Sequence, residues 1–167
     1  MRPIREELAA RGVGTCAVDL IGHGETGGEL RESSLAQRSA QVHAVVDGLQ
    51  LTERGPLAVM AASMGAHTAV DLLARYDVCS LVLVVPAMYA TEAHELPFNA
   101  GFTETIRRPD SWRTSRGWDL LARFEGELLV LAGADDRVIP RGVIEAYRDG
   151  APRARRSRLI EVPDTGH

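Results

Sequence analysis

Ser63 is the side chain whose neighbours best suit a nucleophile. It sits in Ala61-Ala62-Ser63-Met64-Gly65, after the apolar run Leu57-Ala58-Val59-Met60 and before Ala66 to Arg75, which reads as a helix. The pattern predicts a strand that turns at once into a helix, with the serine at the turn. Such a turn strains the serine backbone, favours small residues at 61 and 65, and lifts the hydroxyl above the strand's C-terminal end. The helix behind it opens with unpaired N–H groups at its positive end, suited to a developing oxyanion, and Met64 supplies the first. A buried serine in an alanine-rich junction would be spelled the same way.

A hydroxyl is a poor nucleophile at neutral pH and needs a base. Five histidines compete. His43 falls inside an amphipathic helix, His94 in an irregular stretch, and His23 in Gly22-His23-Gly24, where it is expected to hold a loop together. His67 lies one helical turn beyond Ser63, but the turn aims the serine off the helix, so His67 is expected to pack. His167 follows the last predicted strand at the C-terminal edge of a parallel sheet, where such sheets assemble sites. It is the expected base. The imidazole in turn needs an acid to fix its tautomer. Asp135 and Asp136 both end a predicted strand and, as neighbours, point opposite ways, which leaves both open. Asp19 reads as a cap of its own loop.

These residues stand in stretches that resemble the α/β-hydrolase family. The elbow around Ser63 is similar to the family's small-x-Ser-x-small. Val18-Asp19-Leu20-Ile21-Gly22-His23-Gly24 resembles its Asp-x-x-Gly-His-Gly, Leu131 to Pro140 its acid-bearing loop, and Val162-Pro163-Asp164-Thr165-Gly166-His167 its histidine loop. The order Ser, Asp, His is the family's. Its Gly-x-x-Asp-x-x-x-Pro spacing, laid on Gly133 and Pro140, selects Asp136. The resemblance implies a catalytic triad of Ser63, Asp136 and His167, with the Met64 N–H as oxyanion donor. The implied reaction is cleavage of an ester, thioester or related acyl bond through a Ser63 acyl-enzyme, without cofactor or metal. It also implies a lid over about 86–124 that shapes an acyl pocket, with Met88, Tyr89, Phe98, Phe102 and Trp112 as lining candidates. Against the family's pattern the chain lacks the strands before its first helix and the helix after the histidine. A truncated, non-catalytic remnant with an incomplete oxyanion hole is therefore the alternative.

The elements that must position these residues follow from breakers and periodicity. Pro3 can open a helix ended by Gly12. Thr15 to Leu20 reads as a buried strand and Ile21 to Ser33 as a loop. Ser34 can cap a helix to about Gln50, with Val42, Val45, Val46 and Leu49 at core spacing. After the elbow, Leu81 to Val85 reads as a strand buried on both faces. Pro86 to Ser115 breaks the pattern, with short helices expected near 102–107 and 118–124. Glu127 to Ala132 is the next strand, Pro140 to Arg148 a helix, and Arg158 to Val162 the last strand. The alternation predicts an α/β fold with a parallel sheet of about five strands. Without a strand between them, Thr15–Leu20 and Leu57–Ala62 must pair directly or leave open edges, through which self-association is possible.

Composition excludes several classes. At 167 residues one domain, 1–167, is expected, and the 45% apolar and 25% charged fractions are those of a globular protein. A net charge of −4 points to neither nucleic acid nor membrane as partner; a small acyl substrate is what the resemblance implies. The chain has no lysine, which removes Schiff-base chemistry and a lysine-bearing phosphate loop. Cys16 and Cys79 read as buried structural thiols, and with no signal-like start the cytoplasm is the expected location. Gly22-His23-Gly24-Glu25-Thr26-Gly27 spells a dinucleotide fingerprint. A loop follows it instead of a helix, and the next strand ends in Ala61-Ala62-Ser63 rather than in an acid, so a nucleotide site is not expected.

Overall fold

The computed structural model describes residues 2–167. Four parallel strands form one sheet in chain order: β1 Leu57–Ala62, β2 Val78–Val84, β3 Glu127–Gly133 and β4 Arg156–Val162. Helices connect and flank them: α1 Arg2–Ala10, α2 Leu35–Gly48, α3 Met64–Asp71, α4 Phe102–Ile106, α5 Gly117–Ala122 and α6 Arg141–Asp149. The register sets Ala62 beside Val84, Val84 beside Leu131, and Gly133 beside Val162. The residues that follow β1, β3 and β4 therefore leave the sheet along one edge.

One face of the sheet carries the core. Leu81 and Leu83 of β2 and Leu128, Val130 and Ala132 of β3 are buried against Ala66, Ala69 and Val70 of α3 and Val143, Ile144 and Tyr147 of α6. Each such Leu, Val or Ile side chain contributes about 1.5–3 kcal/mol by leaving water. Tyr147 is fully buried and satisfies its hydroxyl by donating to the Ala87 carbonyl at 3.0 Å. At the start of α2, the Gln37 N–H donates to Ser34 Oγ (3.2 Å) and the Ser34 N–H to Gln37 Oε1 (3.1 Å). This reciprocal cap stabilises the helix by about 1 kcal/mol.

Three expectations are corrected. Thr15 to Leu20 is not a strand: it runs irregular and half-exposed beside the α2 side of the fold, held where the Ile21 N–H donates to Gln41. The sheet thus has four strands, not five, and β1 is an edge. The reason is the one that makes any strand: apolar residues specify a face, but an extended segment without a hydrogen-bonding neighbour gains no ladder. Second, β2 is buried on one face only, since Val82 and Val84, like Leu129 and Leu131 of β3, are half-buried on the other. On that face Ile160 and Val162 of β4 are 37% and 40% exposed. Third, Cys16 is exposed and Cys79 half-buried; both are free thiols.

Between β2 and β3 the chain folds into short pieces, namely 3-10 turns at Thr91–Ala93 and Ser111–Thr114 together with α4 and α5. The last two fall where short helices are expected. Among the described residues no helix is long and apolar enough to cross a membrane.

Candidate active site

Ser63 leaves β1 with φ 50° and ψ −123°, a conformation that costs a non-glycine residue on the order of 1–3 kcal/mol. The surrounding bonds hold it there. Its N–H donates to the Val84 carbonyl at 2.9 Å, and its own carbonyl accepts from the N–H groups of Ala66 (3.0 Å) and Ala87 (3.1 Å). A Cβ at Gly65 would stand 3.7 Å from Ala61 Cβ, ordinary contact, so the small pair at 61 and 65 fills the crook of the turn. α3 starts at Met64, whose N–H, in the first turn, has no carbonyl a turn earlier to bond.

Strand ends bring two further groups to Ser63. His167 Nε2 lies 2.9 Å from Ser63 Oγ, and His167 Nδ1 lies 2.9 Å from Asp136 Oδ2. The Asp136 side chain is 6% exposed and that of His167 26%. Asp136 Oδ1 also accepts from the N–H groups of Val138 (2.7 Å) and Ile139 (3.1 Å). Burial works against the Asp136 charge, but the hydrogen bonds from His167, Ile139 and Val138 and the attraction of His167 outweigh it and hold the carboxyl below its ordinary value. An ionised carboxylate only accepts, so Nδ1 must carry the imidazole proton. Nε2 is then free to accept from the serine hydroxyl.

The neighbouring Asp135 points elsewhere. Its side chain is exposed, while its N–H donates to the Thr165 carbonyl at 2.9 Å and the Ala134 N–H donates to Val162 at 3.0 Å. These backbone bonds carry the histidine loop. Gly133 completes the support: a Cβ there would overlap the carbonyl oxygens of Thr165 and Gly166. In sequence Gly133 serves only as a spacing mark; its glycine ending a strand beside the acid is the signal that could have exposed this role.

The other histidines lie apart from Ser63 Oγ. His67 is buried, with Nδ1 accepting the Tyr89 N–H at 3.4 Å. Burial, helped by His94 and Arg116 and opposed by Asp71, pulls its pKa down to about 4, so it is neutral. Arg116 donates to Asp71 of α3 at 2.7 Å and to His94 Nε2 at 3.1 Å, tying the 86–124 segment to the helix behind Ser63. His43 pairs with the Tyr76 hydroxyl at 3.2 Å, and His23 donates within its loop to the Ile21 carbonyl at 3.3 Å. No helix opens at Gly24: the chain runs through turns to Leu30.

The five pocket candidates divide. Tyr89, Phe98 and Phe102 form an aromatic group with Met64, next to the elbow. Met88 and Trp112 are instead in the core beneath the sheet, Met88 against Gly117 and Trp112 edge-on to Trp118 and against Gly142 of α6. Two surface depressions of about 350 and 290 Å³ are lined by other residues, Asp71 and Arg116 among the first set, Trp112 and Trp118 among the second, and neither includes Ser63 or His167. Among the described residues no cluster of His, Cys, Asp and Glu could hold a metal ion.

A parallel sheet flanked by helices, with a serine on a strand-to-helix turn, places the fold in the α/β-hydrolase class. The family model described as serine aminopeptidase, S33, matches residues 1–109, and the chain belongs to that family. Among solved structures it is similar to Est1E from Butyrivibrio proteoclasticus with ferulic acid bound, at 18% identity and TM-score 0.74, over 98% of this chain and 73% of that one. It is similar to a structure of the metagenome-derived lipolytic enzymes LipS and LipT at 19% identity and TM-score 0.74, over 100% and 79%. A monoacylglycerol lipase from Paleococcus ferrophilus matches at 15% identity and TM-score 0.73, over 99% and 79%. Identities this low speak for the fold alone. No curated protein matches the sequence at a significant level.

Proposed function

We propose that this chain is a serine hydrolase that cleaves an ester, thioester or related acyl bond through an acyl-enzyme on Ser63. The observation that carries the reading is the continuous pair of 2.9 Å contacts from Ser63 Oγ through His167 to Asp136 Oδ2. His167 Nε2 takes the serine proton as Oγ attacks the acyl carbon. The oxygen that becomes anionic is held by the Met64 N–H, at the positive end of α3. When the intermediate collapses, the bond to the alcohol or thiol breaks and His167 returns the proton to it. Water, deprotonated by the same nitrogen, then attacks the ester on Ser63 and releases the acid. Asp136 stays ionised throughout, fixing the tautomer and stabilising the imidazolium. The 86–124 segment acts as the lid, with Tyr89, Phe98 and Phe102 lining its acyl side. Two free thiols suit a reducing cytoplasmic location.

A second reading keeps the fold without turnover. It is favoured by the oxyanion side, where the elbow contributes the Met64 N–H and, among the described residues, β1 is the edge strand of the sheet. Loss of one such donor costs about 10²–10³ in kcat. Hydrolysis of 4-nitrophenyl esters of graded chain length separates the two: turnover that falls by orders of magnitude in Ser63→Ala supports the hydrolase. Turnover equal in both proteins rejects it.

A further inference from the structure

Arg38 on α2 is 7% exposed, yet its Nε is buried without a hydrogen-bond partner. Among the described residues no carboxylate reaches it, and the ionisable group that acts on it is the Tyr89 phenol. Tyr89 is no counter-ion. Burial pushes its pKa up to about 12, so it stays a neutral O–H donor. A buried N–H over aromatic carbon is unfavourable unless an acceptor joins it. The guanidinium lies over the Phe98 ring, 5.2 Å from Cζ to centroid, which steadies the group and offers it no acceptor.

Its position relates it to Ser63. Phe98 meets Phe102 with centroids 4.6 Å apart, and Phe102 meets Tyr89 at 5.4 Å, both edge-on. Met64, the residue after Ser63, packs into the same cluster. The cluster is thus an apolar surface that touches Met64, the neighbour of Ser63, and carries Arg38 over its Phe98 ring. We propose that Arg38, held over Phe98 beside this cluster, is an anion subsite of the acyl pocket, selecting acyl esters whose chain ends in a carboxylate. An arginine fork is the group that recognises a carboxylate. This specificity rests on the hydrolase reading of Ser63; the subsite itself does not.

The test compares 4-nitrophenyl hemiglutarate with 4-nitrophenyl butyrate on the wild-type chain, Arg38→Met and Arg38→Lys. The expected result is a wild-type preference for the anionic ester. The kcat/KM ratio of anionic to neutral ester should fall roughly tenfold or more in Arg38→Met and recover in part in Arg38→Lys. An unchanged ratio overturns the subsite. Melting curves check that each variant folds, and Arg38→Gln replaces the methionine variant if that one does not. Glutarate titrated calorimetrically into the Ser63→Ala protein gives a second readout independent of turnover. Binding that disappears with Arg38 supports the subsite even if every ester is inert, in which case only the hydrolase reading fails. No binding, or binding unaffected by Arg38, overturns it.

Discussion

Gly133, the last residue of β3, and Gly166, the residue before His167, meet backbone to backbone with no room for a side chain on Gly133. This contact joins the backbone hydrogen bonds of Ala134 and Asp135 in setting the strand that leads to the acid against the loop that carries the histidine. Gly133→Ala should push the loop outward, at a cost of about 1–3 kcal/mol in stability. If Ser63 is the nucleophile, a displacement of His167 by even 1 Å should lower kcat by about 10². Ester kinetics beside a denaturation midpoint check this. A variant that loses stability but keeps full kcat would show that the loop is positioned by other contacts.

His67 predicts a pH dependence of stability. Its pKa falls from 6.5 to about 4 on folding, so between those values the unfolded chain binds a proton that the folded chain does not. Stability must then fall as pH drops through this window, by on the order of 3 kcal/mol in total. His94, also lowered by burial, adds in the same direction, so the comparison has to be made within one position. His67→Gln, which can still accept the Tyr89 N–H, should flatten the slope. Urea midpoints at pH 7, 5.5 and 4.5 for both proteins measure it. Parallel curves would mean that His67 is charged in the fold.

The open side of the sheet predicts association. β1 is an edge strand, and the half-covered face beside it carries Val82, Val84, Leu129 and Leu131, with Ile160 and Val162 more exposed still. Unpaired edges and apolar patches of this kind recruit further chain. Sedimentation at rising concentration should show self-association, and Val162→Glu should weaken it while reducing binding of a hydrophobic dye. A monodisperse monomer with no dye binding would show that the face is covered in solution.

Most elements were legible because their signals are local. Ser34 with Gln37 marks a helix start, Gly55-Pro56 a break before β1, and apolar runs mark β2 and β3. Thr15–Leu20 carries the same signal, yet strand residues state a preference for a face and not the presence of a neighbour. The division of the pocket candidates fails for a related reason: Trp112 and Phe102 are both large and apolar, and only packing decides that one lies beneath the sheet and the other beside Met64. Asp135 and Asp136 alternate along one backbone, so their own residue types leave both open; the spacing of the resemblance selects Asp136, and it is that carboxylate which lies 2.9 Å from His167 Nδ1. Arg38 looks like any helix-surface arginine in sequence. Its burial comes from the 86–124 segment folding over α2.

Labelling by a fluorophosphonate probe, mapped by mass spectrometry, tests the central claim most directly. The reagent needs a serine made nucleophilic by a base, which is what the Ser63–His167–Asp136 geometry is proposed to supply. One phosphonyl group should appear on Ser63, at a rate that drops by orders of magnitude in His167→Ala and vanishes in Ser63→Ala. An unlabelled Ser63 in the folded wild-type chain, or labelling unaffected by loss of His167, would contradict the account.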